Sequence, residues 1–311
     1  MPLLLTDIMP FPAPRLTLLA ALLAVLAAGC ATTSTAPSRR TAAASGALQI
    51  DGLTIDKLLA SDELKRIDHD TPEQYRGDVI SSEALGKVVY AHDSLATAAG
   101  ELVAPGGRST LGYPAAGWIT ERTPEGLRVI FIVKLQQGLG IAAEVNQAPG
   151  SGKPQLHTLS PPRALTPTEE ALWQARQLAF NAHFKPCAKH YNPVVIPISA
   201  QGNGAFYVYL LPVSADPGLI FLGGYYRITV NADGSRILDT HAFTHACVTL
   251  HRNPKATGAG VSELMSPTPT PPQVYASLRY GLPVYVATAT NSVVWNVKDG
   301  RIYYVRTVKP D

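Results

Sequence analysis

Two regimes of hydrophobic patterning divide the chain. Leu16 to Ala28 is an almost unbroken run of Leu, Ala and Val, shorter than the ~20 apolar residues that a membrane-spanning helix needs. Beyond residue 47 the apolar residues come in short runs set apart by turn formers. Leu48 to about Glu101 is mixed: Ile55, Leu58, Leu59 and Leu64 predict a short helix, and Ser81 to Ala91 another. From Gly117 to Val145 the pattern becomes β-like. Gly117 to Thr120 reads as a strand, Thr123 to Gly126 as a turn, Leu127 to Leu135 as a strongly β-prone run, and Ile141 to Val145 as a third strand after a turn. The stretch 146–166 is rich in Pro, Gly and Ser and predicts a domain boundary.

The clearest helix signal follows. Thr166-Pro167-Thr168-Glu169 has the spacing of a capping box with proline at the first helical position. Leu172, Ala175, Ala179 and Ala182 then fall on one stripe, with Trp173 and Phe180 beside it. Strands are expected at Val194–Ile198 and Ala205–Leu211, and a hairpin runs from Tyr225–Val230 through Asn231-Ala232-Asp233-Gly234 into Arg236–Phe243. Ala246 to Leu250 is read as a continuation of that last strand. Pro271 to Tyr280 predicts a second helix, followed by strands at Val284–Thr288, Val293–Val297 and Ile302–Val305. The expected fold class is α+β: a mostly antiparallel β meander with one long and one short helix, preceded by a smaller N-terminal region containing a β-hairpin. The expected division is 1–29, 30–47, 48–163 and 164–311.

The short apolar run ends in Leu26-Ala27-Ala28-Gly29-Cys30, with Arg15 ahead of it and a Ser/Thr/Ala-rich stretch behind. Charged n-region, short h-region and small-residue cleavage site are the parts of an export leader. With a cysteine at the cut, the pattern resembles the type II signal peptide of bacterial lipoproteins. The family prefers Leu where this chain has Ala27. The resemblance implies cleavage before Cys30, a lipid on Cys30 and, with Ala31 rather than Asp next, sorting to the outer membrane facing the periplasm. Asp7 sits badly ahead of the apolar run, so translation is expected to begin at Met9. Residues Ala31 to Ala47 hold no large apolar side chain and read as a tether that spans on the order of 20–25 Å as a coil.

Composition narrows the partners. A formal charge of +3 spread along 311 residues makes no polybasic patch, which argues against nucleic acid as a partner. Expected instead are the membrane, through the lipid, and an envelope protein or peptidoglycan. Arg76-Gly77-Asp78 spells an adhesion tripeptide too short to carry weight.

Candidate chemistry gathers at the other two cysteines. His183 and His190 flank Cys187, and His241, His245 and His251 surround Cys247. Were Thr240 to His251 extended, the odd-numbered side chains would share one face, and a tetrahedral zinc could be clasped there. An exported chain meets an oxidising compartment, however, where two thiols pair. The expectation is a Cys187–Cys247 disulfide, stabilising by about 4 kcal/mol in the chain-entropy model. No metal and no cofactor are expected, His241 and His245 being the alternative candidates, and the histidines are left on the rim of the hairpin. No nucleophile elbow, His-Glu-x-x-His or phosphate-binding loop occurs. The Asn231–Gly234 turn lacks the later ligands of a calcium loop. Glu263 and Glu170 have no evident partner, and Glu169 has a capping role. The tyrosines on β-prone segments, Tyr207, Tyr209, Tyr225, Tyr226, Tyr303 and Tyr304 among them, are read as packing rather than as a ligand platform.

The series Tyr191-Asn192, Val195-Ile196-Pro197, Tyr207 to Pro212 and Gly223-Gly224-Tyr225-Tyr226-Arg227 looks like a group of uncharacterised proteobacterial exported proteins over residues 165–311, which brings no activity with it. Pro269 to Ser277 followed by Pro283-Val284-Tyr285-Val286 is similar to JAB-type metallopeptidases. The zinc-binding His-x-His-Pro of that family is missing, and Gln273-Val274 stand near where its aspartate belongs, so the analogy concerns fold alone. The functional expectation is an outer-membrane-anchored periplasmic lipoprotein with a non-catalytic binding or assembly role. The alternative is a periplasmic hydrolase with a histidine-containing site using His241 or His245, possibly metal-dependent.

Overall fold

Alternation along the strands of the C-terminal half builds a six-stranded antiparallel sheet that carries two different cores. A computed structural model describes residues 48–54, 57, 70–105, 109–150, 152–200 and 203–308. Cys30, the leader, the tether and the expected helix around Ile55 to Leu64 lie outside the described residues. The sheet starts with the short strands β1 (Gln49–Ile50) and β2 (Leu53–Thr54) at one edge. Its order is β11-β10-β8-β7-β1-β2, where β7 is His190–Ala200, β8 Asn203–Val213, β10 Tyr226–Asn231 and β11 Ile237–Ala242.

Helix α2 (Pro167–Phe180) covers one face: its Leu172, Ala175 and Ala179 pack with Val195, Val208, Leu210, Ile228 and Val230. The expected capping box is present, with the Thr166 side chain accepting from the Glu169 amide and the Glu169 carboxylate accepting from the Thr166 amide. The opposite face carries Val194, Ile196, Tyr209 and Leu211, packed on Ala84, Leu85, Val88 and Val89 of helix α1 (Glu73–Val103).

α1 has 31 residues and so runs roughly 45 Å at 1.5 Å per residue. Its C-terminal half places Leu95, Ala99 and Val103 against a second sheet, of order β3-β4-β5-β6. These strands are Ala115–Thr123, Gly126–Lys134, Leu139–Gln147 and Gln155–Arg163. Its N-terminal half sets Val79 in a third core with Val274, Ala276 and the fully buried Trp295. That core belongs to β13 (Ala259–Glu263), α3 (Pro271–Tyr280), β14 (Val284–Thr288), β15 (Val293–Lys298) and β16 (Arg301–Thr307). Between them, β9 (Leu219–Phe221) and β12 (Thr249–His251) pair as a small ribbon.

The α+β class and the mainly antiparallel pairing agree with the sequence reading, and the strands of the meander fall where expected. Four points are corrected. There are three helices among the described residues rather than one long and one short. The longest, α1, occupies the N-terminal region that was expected to be small and hairpin-like, and Ser81–Ala91 is only its middle. The stretch 146–166 is not a gap between domains, because it holds β6, and Ile119, Ile130 and Ile141 share a core with Leu172 and Val208. Residues 48–308 accordingly fall within one compact unit. Finally, β13 and β14 pair in parallel across α3, so the closing segment is a βαβ unit followed by a meander. No helix among the described residues is long and apolar enough to cross a membrane.

Candidate functional site

Ala246 to Leu250 does not prolong β11. The chain leaves the sheet at Phe243, bends through residues 243–248 and continues as β12 in the separate ribbon with β9. That bend brings Cys247 back to Cys187, which sits between α2 and β7. The two form a disulfide, S–S 2.04 Å and Cα–Cα 5.3 Å.

The surrounding residues explain how the bend is held. The Tyr191 hydroxyl accepts from the Cys187 amide at 2.8 Å and donates to the Gly224 carbonyl at 3.1 Å. The Gly224 amide donates to the Thr244 hydroxyl (3.0 Å), which donates in turn to the Ala246 carbonyl (2.9 Å). Gly224 has φ +81°, and a Cβ there would stand 2.4 Å from the Cys187 Cβ. Only glycine gives both the left-handed backbone and the room for the disulfide. Phe184 packs on Tyr191 and Tyr226 with ring centroids 5.4 and 4.9 Å apart, and the Tyr226 hydroxyl donates to the Lys185 carbonyl.

Beside these groups lies an open cavity of about 600 Å³, within the 300–1,000 Å³ range of small-molecule sites. Its walls are Phe184, Tyr226, Ala242 and the disulfide, and His183, Lys185 and His245 also line it. The structure therefore joins two of the histidines singled out in sequence, from opposite sides of the disulfide.

The others lie elsewhere. Thr240 and Ala242 face the cavity, so strand alternation turns His241 to the opposite face. There its ring meets Phe243 edge-on at 4.7 Å. Burial, and then the neighbouring Arg227, lower its pKa and favour the neutral ring. His190 begins β7 opposite Val213, and His251 pairs with Leu219. The zinc arrangement that full extension of 240–251 would give is not formed. Among the described residues no group of three or more His, Cys, Asp or Glu is placed to hold a metal ion.

Two of the three carboxylates flagged in sequence, Glu169 and Glu263, are occupied away from the cavity, and Glu170 is exposed on α2. Glu169 faces Arg163 and caps α2; burial opposes its ionisation, but Arg163 and the Thr166 amide outweigh burial and lower its pKa. Glu263, 1% exposed, accepts from the Met265 and Ser266 amides and from the Gln273 side chain. Gln273, at the position compared with a metallopeptidase aspartate, is thus the partner of a buried glutamate.

One constellation was not among the sequence candidates. The His92 ring lies 2.7 Å from the Thr120 hydroxyl by Nδ1 and 3.0 Å from Asp51 by Nε2, and Arg122 donates to the same Asp51 oxygen at 2.6 Å. Hydroxyl, imidazole and carboxylate are the parts of a nucleophile relay. His92 is 0%, Asp51 3% and Thr120 5% exposed, so no substrate reaches the hydroxyl and the group acts as a buried tie. The next residue, Asp93, accepts from the Tyr275 hydroxyl (2.7 Å) and from Asn192 (3.1 Å). The adjacent pair His92-Asp93 inside an apolar helical run was the one available hint.

No family model matches the chain, and neither a curated protein nor a solved structure matches it.

Proposed function

We propose that the chain is an exported lipoprotein of the bacterial outer membrane, anchored through Cys30, whose periplasmic domain binds a ligand at the disulfide cavity and performs no catalysis. The observation that carries the anchoring is the leader itself: Arg15, the Leu16–Ala28 run and Gly29-Cys30 in that order. The Cys187–Cys247 disulfide suits an oxidising compartment. Binding is favoured over hydrolysis because none of the described lining residues is a carboxylate, so His183 and His245 lack the third group that orients an imidazole for base catalysis.

Fractionation of cells expressing the natural chain and Cys30→Ala, with labelled palmitate in the medium, tests the anchor. The natural chain is expected in the membrane fraction carrying label, and Cys30→Ala is expected to carry none. A natural chain without label, or label retained on Cys30→Ala, would overturn the reading.

A further inference from the structure

The disulfide cavity separates apolar from polar chemistry. Phe184, Tyr226, Ala242 and the disulfide offer rings, a methyl group and sulfur, and the one hydroxyl among them, on Tyr226, is already spent on the Lys185 carbonyl. The other polar side chains are Thr240, Thr244, whose hydroxyl already bridges the Gly224 amide and the Ala246 carbonyl, and the nitrogenous Lys185, His183 and His245. Among the described residues none of these three side-chain nitrogens has a hydrogen-bond or ion-pair partner. No acidic residue lines the cavity to balance Lys185. The site therefore presents the Lys185 charge and two imidazoles, all three exposed to solvent, beside an apolar surface.

Charge decides what fits. An ammonium ligand would meet Lys185 with like charge. A neutral alcohol would gain the apolar contact and hydrogen bonds, but no charge opposite to that of Lys185. A carboxylate gains the apolar contact and charge-assisted hydrogen bonds, which are about twice as strong as neutral ones. We infer that the cavity is a binding site for a small organic carboxylate with an apolar body, the carboxylate meeting Lys185, His183 and His245 and the body lying on Phe184, Tyr226 and the disulfide. This deepens the binding reading proposed above and rests on that part of it, not on the anchor.

The test is calorimetric titration of purified full-length Cys30→Ala protein with decanoate, decanol and decylammonium, so that its result does not depend on lipidation. Decanoate is expected to bind 1:1 and at least about tenfold more tightly than decanol, with decylammonium weaker than either. Lys185→Gln is expected to lose about tenfold for decanoate and to leave decanol unchanged. The exposed side chain of Lys185 supports no contact of the fold, and intact mass of the unreduced variant checks that the disulfide has formed. Equal affinity for decanoate and decanol, tighter binding of decylammonium, or full decanoate affinity in Lys185→Gln would overturn the assignment. So would the absence of binding by folded, disulfide-bonded protein. Tight decanol binding without preference for decanoate would leave a binding cavity but remove its carboxylate selectivity, which separates failure of this inference from failure of the broader reading.

Discussion

Asp51 is where the buried charge of this protein converges. It sits in the turn between β1 and β2 with φ +54°, and its carboxylate faces the His92 ring, the Arg122 guanidinium and, through His92, Thr120. Burial opposes its ionisation, but His92 and Arg122 outweigh burial and hold its pKa below the ordinary value of 3.8. A carboxyl with a depressed folded-state pKa contributes stability that is fully present above its unfolded value and is lost as pH falls through the folded one. Asp51→Asn keeps a residue that tolerates the left-handed turn and removes the charge. It is expected to cost about 3 kcal/mol at pH 7, and the difference from the natural protein should shrink below about pH 4. Denaturant unfolding of both proteins at pH 7 and pH 3 measures this; a difference that persists undiminished at pH 3 would assign the loss to packing instead. The two residues at the centre of this tie lie 41 positions apart, and nothing local in the sequence links them. Cys187 and Cys247 are farther apart, at 60, yet their pairing was legible because beyond Cys30 the sequence offers each of them only the other as a thiol partner.

Among the elements, α2 and α1 show what makes a helix readable. α2 announces itself through Thr166, Pro167 and Glu169 and a single apolar stripe that enters one core. α1 touches three cores, so Val79, Val88, Leu95 and Val103 do not share one side, and Ser82, Glu83, His92 and Asp93 are buried polar residues that blur the period further. β13 was missed for a related reason: Gly260 and Ser262 alternate with Ala259 and Val261, a weak strand signature, and its parallel partner lies beyond a helix. The crossing of α1 and α3 depends on Gly86, where a Cβ would come 2.5 Å from the Val274 Cβ and 2.8 Å from the Pro271 carbonyl. Helix propensity alone favours alanine over glycine by about 1 kcal/mol. Gly86→Ala is nevertheless expected to destabilise by about 1–3 kcal/mol through overpacking. Gly77→Ala, in the same helix but exposed and meeting nothing within 4 Å, should raise stability by up to ~1 kcal/mol. Opposite signs for the two variants in urea unfolding are the expected outcome, and a stabilising Gly86→Ala would show that the crossing yields.

At the scale of the molecule, the N-terminal elements complete the C-terminal sheets. α1 covers the second face of the large sheet and one side of the βαβ unit, and β1 adds to β7 at Gln49 and Ile50. A fragment of residues 164–311 is therefore expected to collapse without a cooperative unfolding transition and to bind hydrophobic dye, whereas the chain from residue 48 on should unfold in one step. Independent, cooperative folding of 164–311 would restore the boundary that the Pro-rich stretch suggested. Composition marked that stretch as a boundary, but it could not show that Gln155–Arg163 is a strand or that the cores on either side were one. The same dependence sets a timetable. Glu83 receives the Ile302 amide from 219 residues downstream, and Asp93 receives the Tyr275 hydroxyl from 182 residues downstream. A chain made from its N-terminus thus holds its longest helix without burial for its polar side until the last segments arrive. On the export proposed above, a fold that closes only when its last segments arrive would keep the growing polypeptide threadable through a translocation pore until nearly all of it has been made.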